Sequence, residues 1–202
     1  MYFSIPVKSS DQGNRDFFSF TIAYQPVLFS GSQRQMLPLR ICQDLISVFC
    51  SQNKGVMTGC SSGVEKSFRY AMSLSPYADR AMVSCAASDR QERAYGLYAP
   101  VVVPEGLSLK AALKRRTVWT VKRCSMAMIF PDDPFTGGWC KSSRLVFRAC
   151  MYHIKPVFIV TDRPPVSDDY YRILPCSFFG IVAGYWVVPH PIKEGWTCDD
   201  EW

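Results

Sequence analysis

The sequence predicts an α/β fold, with a mostly parallel β-sheet that carries helices on both faces. The first observation is the order of the segments, because short apolar runs alternate with stretches whose apolar residues recur every three or four positions. The second is that glycine- and serine-rich loops follow several apolar runs, as they do at the carboxyl ends of strands in Rossmann-like sheets. The 202 residues, 48% of them hydrophobic, suffice for one sizeable core.

The first half of the chain is predicted to run twice through strand, loop and helix. Residues 21–29 are rich in β-branched and aromatic side chains, which favours a strand. Residues 37–52 are predicted as a helix that ends at the stop signal Asn53-Lys54-Gly55. A short strand over 55–58 then leads through a glycine-rich loop into a helix that reaches about Ser75. The stripe that predicts the first helix consists of Leu39, Cys42, Leu45, Ile46 and Phe49.

The second half of the chain continues the alternation. The run Met126–Phe130 is apolar throughout, as expected of a strand that is covered on both faces. Residues 156–160 are the last clear strand of the pattern. Residues 107–124 and 142–152 have the apolar spacing of helices. The remaining strand predictions are 78–87 and 99–103.

Three regions are predicted along the chain. Residues 1–20 form an N-terminal extension, residues 21–162 the Rossmann-like domain, and residues 163–202 a C-terminal extension. Within the last region, the aromatic and β-branched stretch 173–188 is a candidate for additional edge strands.

The composition limits the classes of partner. Lysine and arginine number 23 against 17 acidic residues, a net charge of +6. This suits an anionic partner without choosing between nucleic acid and a small phosphate ligand. The sequence contains neither a signal-peptide pattern nor an apolar run long enough to span a bilayer. We therefore predict a cytoplasmic protein without a membrane partner.

The cysteines predict a reduced, intracellular protein. There are nine, an odd number, and several stand inside apolar segments where a thiol acts as a small hydrophobe. No two have Cys-x-x-Cys spacing, and the two histidines, His153 and His190, are far apart, so no metal site is expected. Cys150 precedes His153 by one helical turn, but its apolar surroundings favour an inert core thiol over a nucleophile.

Three loops are placed to bind a ligand. In an open parallel sheet, ligands bind at the carboxyl ends of the strands, where the N–H groups of helix N-termini face an anion. The loops predicted in this position are 30–32, 58–65 and 132–138. Their candidate ligand-binding residues are Ser30, Gly31, Ser32, Thr58, Gly59, Ser61, Ser62, Gly63, Glu65, Asp132, Thr136, Gly137 and Gly138.

The loop 58–65 has two interpretations. Gly59 and Gly63 permit a close backbone approach and positive φ, and the serines offer N-cap hydroxyls, so a phosphate can rest on the loop. In the alternative, the glycines only form a tight turn from strand to helix, and Glu65 only favours the helix dipole.

The order of several short motifs carries a resemblance to a known family. The strand ending Phe29-Ser30-Gly31-Ser32 is followed one helix later by Thr58-Gly59-Cys60-Ser61-Ser62-Gly63-Val64-Glu65, which is similar to a Thr/Ser-Gly-Gly-Ala-x-Gly-Val-Asp element. The motifs that follow in the same order are Lys114-Arg115-Arg116, Met126–Phe130, Thr136-Gly137-Gly138 and Lys155-Pro156-Val157. Over residues 21–160, this order resembles the superfamily of Smf/DprA DNA-processing proteins and "Lonely guy" cytokinin-activating enzymes, called SLOG.

The resemblance implies a nucleotide-binding pocket that is formed by these loops. Arg115 or Arg116 is the implied phosphate partner, since guanidinium groups match phosphate oxygens. The alternative for each arginine is a solvated helix face. Asp132 contacts a ribose hydroxyl in this interpretation, or else it caps a turn.

The sequence leaves open whether the chain catalyses a reaction. The cytokinin-activating branch of the superfamily cleaves the N-glycosidic bond of nucleotides and carries a Pro-Gly-Gly-x-Gly-Thr-x-x-Glu motif. In the matching segment, Thr136 to Arg144, Arg144 stands in the place of the catalytic glutamate. A cation does not supply the carboxylate that this chemistry needs, and no other catalytic motif is found.

We predict that the chain binds a nucleotide or a nucleotide-derived phosphate ligand, as a sensor or accessory protein. The alternative, implied by the Smf/DprA branch and the net charge of +6, is a DNA-processing protein that binds single-stranded DNA. A weaker alternative is a nucleotide N-glycosidic hydrolase with a changed catalytic set. No other cofactor is predicted, and the oligomeric state, including a homo-oligomer, stays open.

Overall fold

The described residues form one seven-stranded sheet with helices on both faces. The computed structural model describes residues 20, 22–132, 139–166 and 169–190. The strands are β1 (Val27–Gly31), β2 (Val56–Gly59), β3 (Ala81–Ser84), β4 (Met126–Phe130), β5 (Val157–Ile159), β6 (Tyr171–Phe178) and β7 (Val182–Pro189). The main helices are α1 (Leu39–Ser51), α2 (Val64–Ser73), α3 (Leu109–Arg123) and α4 (Lys141–Tyr152).

The strand order is β3-β2-β1-β4-β5-β7-β6. The first five strands in this order are parallel, and the β6–β7 hairpin joins β5 through an antiparallel pairing of β7. The predicted α/β fold with a mostly parallel sheet is therefore confirmed. The order of the parallel strands reverses between β1 and β4, and the crevice outside the carboxyl ends at such a point is where ligands bind in these sheets.

Alternate residues of each strand face two separate apolar layers. On the side of α1 and α2, Phe29 of β1 stacks on Phe68 of α2 with ring centroids 4.0 Å apart. Its neighbour Leu28 points to the other side, where it packs with residues of α3 and α4 such as Val121 and Val146. Burial on both sides explains why the central strands are apolar at nearly every position.

Three predicted strands differ from the observed elements. The predicted strand 78–87 is reduced to Ala81–Ser84, since Ala78–Arg80 form a 3-10 helix before it. The predicted strand 21–29 begins only at Val27, because residues 22–24 are helical and Gln25 and Pro26 turn the chain before it. The predicted strand 99–103 is reduced to single bridges from Tyr98 and Val101 to the β3 region. Proline at position 100 has no N–H to donate, so a continuous ladder cannot form there.

The described part of the C-terminal region extends the same sheet. Gly184 lies where β7 passes β5, and a Cβ atom at this position would stand 2.1 Å from the carbonyl oxygen of Ile159. The hairpin is held on the α1 side by Phe178, whose ring contacts those of Phe49 and Phe158. Among the helices of the described residues, none combines the length and apolarity needed to cross a bilayer.

Candidate functional site

The carboxyl ends of β1, β2 and β4 bring together most of the predicted ligand-binding residues. The residues that meet there are Ser30, Gly31, Ser32, Thr58, Gly59, Ser61, Ser62, Gly63, Glu65, Arg116 and Asp132. Arg115 is exposed on α3, whereas its neighbour Arg116 is buried. Thr136, Gly137 and Gly138 lie outside the described residues. Which of the two arginines turns inward is therefore decided by the structure.

The loops after β1 and β2 are joined directly to each other. The N–H of Val64 donates to the carbonyl oxygen of Ser32 at 2.8 Å, and the hydroxyl of Ser62 donates to that of Gln33 at 3.0 Å. Gly63 lies between them with φ +66°, and a Cβ atom there would stand 2.2 Å from the oxygen of Ser32. Gly63 thus has a structural role, because only glycine fits this contact and this backbone conformation.

Ser32 ties the same loop to the end of β4. Its N–H donates to the carbonyl oxygen of Phe130 at 2.8 Å, and its hydroxyl donates to Oδ1 of Asp132. The hydroxyl oxygen also accepts the N–H groups of Arg34 and Gln35, each at 3.0 Å. Asp132 therefore orients the loop after β1, a role that neither sequence interpretation had assigned to it.

A buried ion pair fills the floor of the crevice. Nη1 of Arg116 lies 3.5 Å from Oε2 of Glu65, and the two side chains are only 6% and 7% exposed. Glu65 also accepts the N–H of Ser61 at 2.8 Å and the hydroxyl of Ser30 at 3.3 Å. The carboxylate is thus hydrogen-bonded as a buried charge must be, which goes beyond the helix-dipole role and replaces the solvated-face interpretation of Arg116.

The electrostatics of the crevice favour the charged form of Arg116. Burial is the largest single effect on Arg116 and disfavours its charged guanidinium, but the charge and hydrogen bond of Glu65 together with the charges of Cys60 and Cys85 outweigh burial, so the pKa of Arg116 lies above its ordinary value. A second buried arginine, Arg69, donates through Nη1 to the carbonyl oxygen of Gly59 at 2.6 Å and through Nε to that of Arg93 at 2.9 Å. For Arg69, burial is the dominant cause and lowers the pKa.

Arg69 is the main site residue that the sequence analysis missed. It follows Glu65 by four residues in α2, so both side chains lie on one helix face. A charged pair at this spacing, directly after a glycine-rich loop, is the signal that would have pointed to it. Other polar residues around the ion pair also escaped notice, namely Ser84, Thr117, Thr120 and Ser142.

Little free space remains in this crevice between the described residues. The cavity there has a volume of about 10 Å³, close to the roughly 10–15 Å³ that one water molecule requires. Its walls are Leu28, Ser30, Gly59, Glu65, Ser84, Arg116, Thr117, Thr120, Ser142 and Val146. A larger groove of about 250 Å³ lies on the β6–β7 hairpin, beside Leu174 and Val188. Since that groove is formed without the strand-end loops, we place the candidate site at the crevice.

Two cysteines at the crevice form a pair that their spacing in the sequence does not reveal. Cys60 and Cys85 follow the ends of the neighbouring strands β2 and β3 and are completely buried. A hydrogen bond from Cys85 lowers the pKa of Cys60, helped by the charge of Arg116, and the same bond raises the pKa of Cys85. The described cysteines are all free, and no cluster of metal-ligating side chains occurs within the described ranges.

Gly59 provides the space that Arg116 occupies, and this can be tested by a mutant cycle. A Cβ atom at Gly59 would stand 1.6 Å from Nη1 of Arg116, so Gly59→Ala should destabilise the fold by about 1–3 kcal/mol through overpacking. We expect most of this cost to disappear when Arg116→Met is introduced together with Glu65→Gln. Urea unfolding of the four proteins measures the coupling, and purely additive costs would show that Gly59 has another role.

The strand order and the crevice at its reversal define a Rossmann-like α/β fold. No protein-family model matches the chain, and no curated protein is similar to it in sequence. Among solved structures, the chain is similar to DNA processing protein A from Helicobacter pylori, with a TM-score of 0.53 and 15% sequence identity. The match covers 74% of this chain and 71% of the other. That structure was described for the single-stranded DNA binding mode of its protein, and at this identity the likeness establishes the fold alone.

Proposed function

We propose that this chain binds single-stranded DNA across the loops at the carboxyl ends of β1 and β2. The observation that carries the proposal is that, among the described residues, the Glu65–Arg116 pair occupies the floor of the crevice and leaves a cavity of only about 10 Å³. Pockets for small ligands typically measure about 300–1,000 Å³. A ligand at these loops must therefore lie on their outer surface, as an extended chain of phosphates can.

The outer surface of the loops offers cations to such a chain. Arg34 belongs to the loop after β1, Lys66 to the first turn of α2, and both are exposed. They flank the contact between Ser32 and Val64, and the N-terminus of α2 adds its favourable dipole. The fold likeness to a DNA processing protein that binds single-stranded DNA supports this ligand class.

The test removes the two flanking cations together. We expect the double variant Arg34→Ala, Lys66→Ala to bind oligo-dT more weakly and to reduce the slope of log K against log salt by about 1.4, since each lost phosphate contact on a single strand contributes about 0.7. Fluorescence anisotropy over a salt series measures both. Lys54→Ala is the matched control, because Lys54 lies just before β2 at the opposite edge of the sheet. Equal slopes for the two variants would refute binding at these loops.

Nucleotide binding is the second candidate, because the glycine-rich loops lie where the strand order reverses. The Ser61 N–H and the Arg116 guanidinium that a phosphate would use are already bonded to Glu65. A nucleotide would have to displace this carboxylate. A thermal-shift screen decides the question, because a true ligand at a hundredfold excess over its dissociation constant stabilises by about 2.7 kcal/mol. Stabilisation by a nucleotide without affinity for DNA would favour this second function.

A further inference from the structure

We propose that the outer face of α3 and α4 is a second phosphate-binding surface, along which the same single strand of DNA continues from the carboxyl edge of the sheet. This inference takes its ligand from the proposed function and adds a separate site on another side of the molecule. We call this surface the α3–α4 ridge and define it by five of the six exposed cations of these helices, Arg115, Lys122, Lys141, Arg144 and Arg148.

Positive charge is concentrated in these two helices. Together α3 and α4 carry nine lysines and arginines and no carboxylate. Removing these nine from the 23 in the chain leaves 14 against 17 acidic residues, so the remainder of the chain is net negative. The helices of the other face, α1 and α2, hold three cations and two carboxylates. The net charge of +6 thus arises from one helical layer.

The cations of α4 form a line on one side of the helix. Lys141, Arg144 and Arg148 are separated by three and four residues, and Tyr152, which is 42% exposed, continues the same line. At 1.5 Å per residue, the line rises about 4.5 Å and then about 6 Å between cations. A strand within the DNA duplex carries one phosphate per roughly 3.4 Å of axis, and an extended single strand spaces its phosphates more widely, so successive cations can meet neighbouring phosphates. Tyr152 places an aromatic ring at the end of the line, where a base can stack.

Arg115 and Lys122 of α3 add a second line next to the first. They are seven residues apart, two full turns, and point to the outer side of the helix. The two helices pack against each other, and both begin at the carboxyl edge of the sheet. The ridge therefore starts beside the loops of the proposed DNA site and leads away from them across the helical layer.

The apolar sides of α3 and α4 favour nucleic acid over a membrane as the partner. An amphipathic helix that binds a bilayer inserts its apolar side chains. Here Ala112, Val121, Val146 and Ala149 are buried between the helices and the sheet, and the large apolar residues that the two helices expose are Leu109 and Tyr152, at their outer ends. What the ridge offers to solvent is charge, which suits sequence-independent contact with phosphates.

The salt dependence of binding tests the ridge separately from the loops. We expect the variant Arg115→Ala, Lys122→Ala, Arg144→Ala, Arg148→Ala to reduce the salt slope for a 30-nucleotide oligo-dT by about 2.8, at about 0.7 per lost contact. Between 50 and 200 mM salt, the wild type should then lose about fifty-fold more affinity than the variant. The two pairwise variants, one per helix, should each reduce the slope by about 1.4, and circular dichroism checks that they fold.

The controls separate failure of the ridge from failure of the proposed function. Arg40→Ala removes a highly exposed cation of α1, on the opposite face. It should change the salt slope by no more than the roughly 0.7 that one phosphate contact contributes. If the ridge variants keep the wild-type slope while the Arg34, Lys66 variant loses affinity, the ridge is refuted and the loop site stands. If the wild type binds no oligo-dT, both proposals fail, and binding of vesicles with phosphatidylserine would then assign the ridge to a membrane surface.

Discussion

Replacing Glu65 by alanine is expected to lower the free energy of unfolding by about 3–5 kcal/mol, because it leaves the charge of Arg116 buried without its partner. The pair is separated by 3.5 Å and is almost inaccessible to solvent. The variant also removes the acceptor for the N–H of Ser61 and the hydroxyl of Ser30. For a chain of this size, the loss corresponds to a fall in Tm of roughly 6–20 °C, which differential scanning calorimetry can measure.

A matched pair of variants identifies the cause of this loss. Glu92→Ala removes an exposed carboxylate and should change the stability by less than about 0.5 kcal/mol. The double variant Glu65→Gln, Arg116→Met keeps an acceptor for Ser61 and removes the buried charge, so its stability should return to within about 1–2 kcal/mol of wild type. If the double variant is as unstable as Glu65→Ala, the carboxylate contributes through its packing and not through the ion pair.

The second large effect is expected from Gly63→Ala. At φ +66°, a residue with a Cβ atom is strained by about 1–3 kcal/mol. The new methyl group would also stand 2.2 Å from the backbone oxygen of Ser32 and 2.5 Å from the carbonyl carbon of Gln33, and overpacking adds about 1–3 kcal/mol. A total loss of about 2–6 kcal/mol should appear in urea unfolding.

Gly96→Ala separates backbone strain from the loop contact. Gly96 has φ +80°, but a Cβ atom there would meet no atom within 4 Å. Only the strain of the left-handed conformation applies, about 1–2 kcal/mol. If Gly63→Ala costs no more than Gly96→Ala, then the loops after β1 and β2 can separate easily. In that case, a ligand could bind between the two loops, which would favour nucleotide binding over DNA binding.

Much of the fold was predictable because its signals are local. The apolar run Met126–Phe130 coincides with β4, and the stripe from Leu39 to Phe49 lies within α1. Burial on one side or on both sides leaves a periodicity that neighbouring residues display together. The prediction of a strand over 99–103 was wrong for an equally local reason. Pro100 has no N–H and so interrupts the ladder of hydrogen bonds that its β-branched neighbours favour.

The candidate site was predicted in its position and only partly in its chemistry. The loops around Ser30, Gly59 and Gly63 were expected at the strand ends, and they lie there. The expectation of phosphate contacts at Gly63 and Glu65 remains a proposal. What the structure adds is that these residues are bonded to one another, through contacts between segments 29 to 51 residues apart in the chain.

The sequence by itself determined that this chain alternates strands and helices, that its glycine-rich loops follow strands, and that it carries a positive excess. These properties depend on each residue and its near neighbours. Only the tertiary structure decided that Arg116 is buried and Arg115 exposed, that Glu65 pairs with Arg116 at the floor of the crevice, and that the excess charge lies on one helical layer. The reason is that adjacent helix positions differ by about 100° in direction. Whether each side chain is buried or exposed therefore depends on which distant segments pack against the helix.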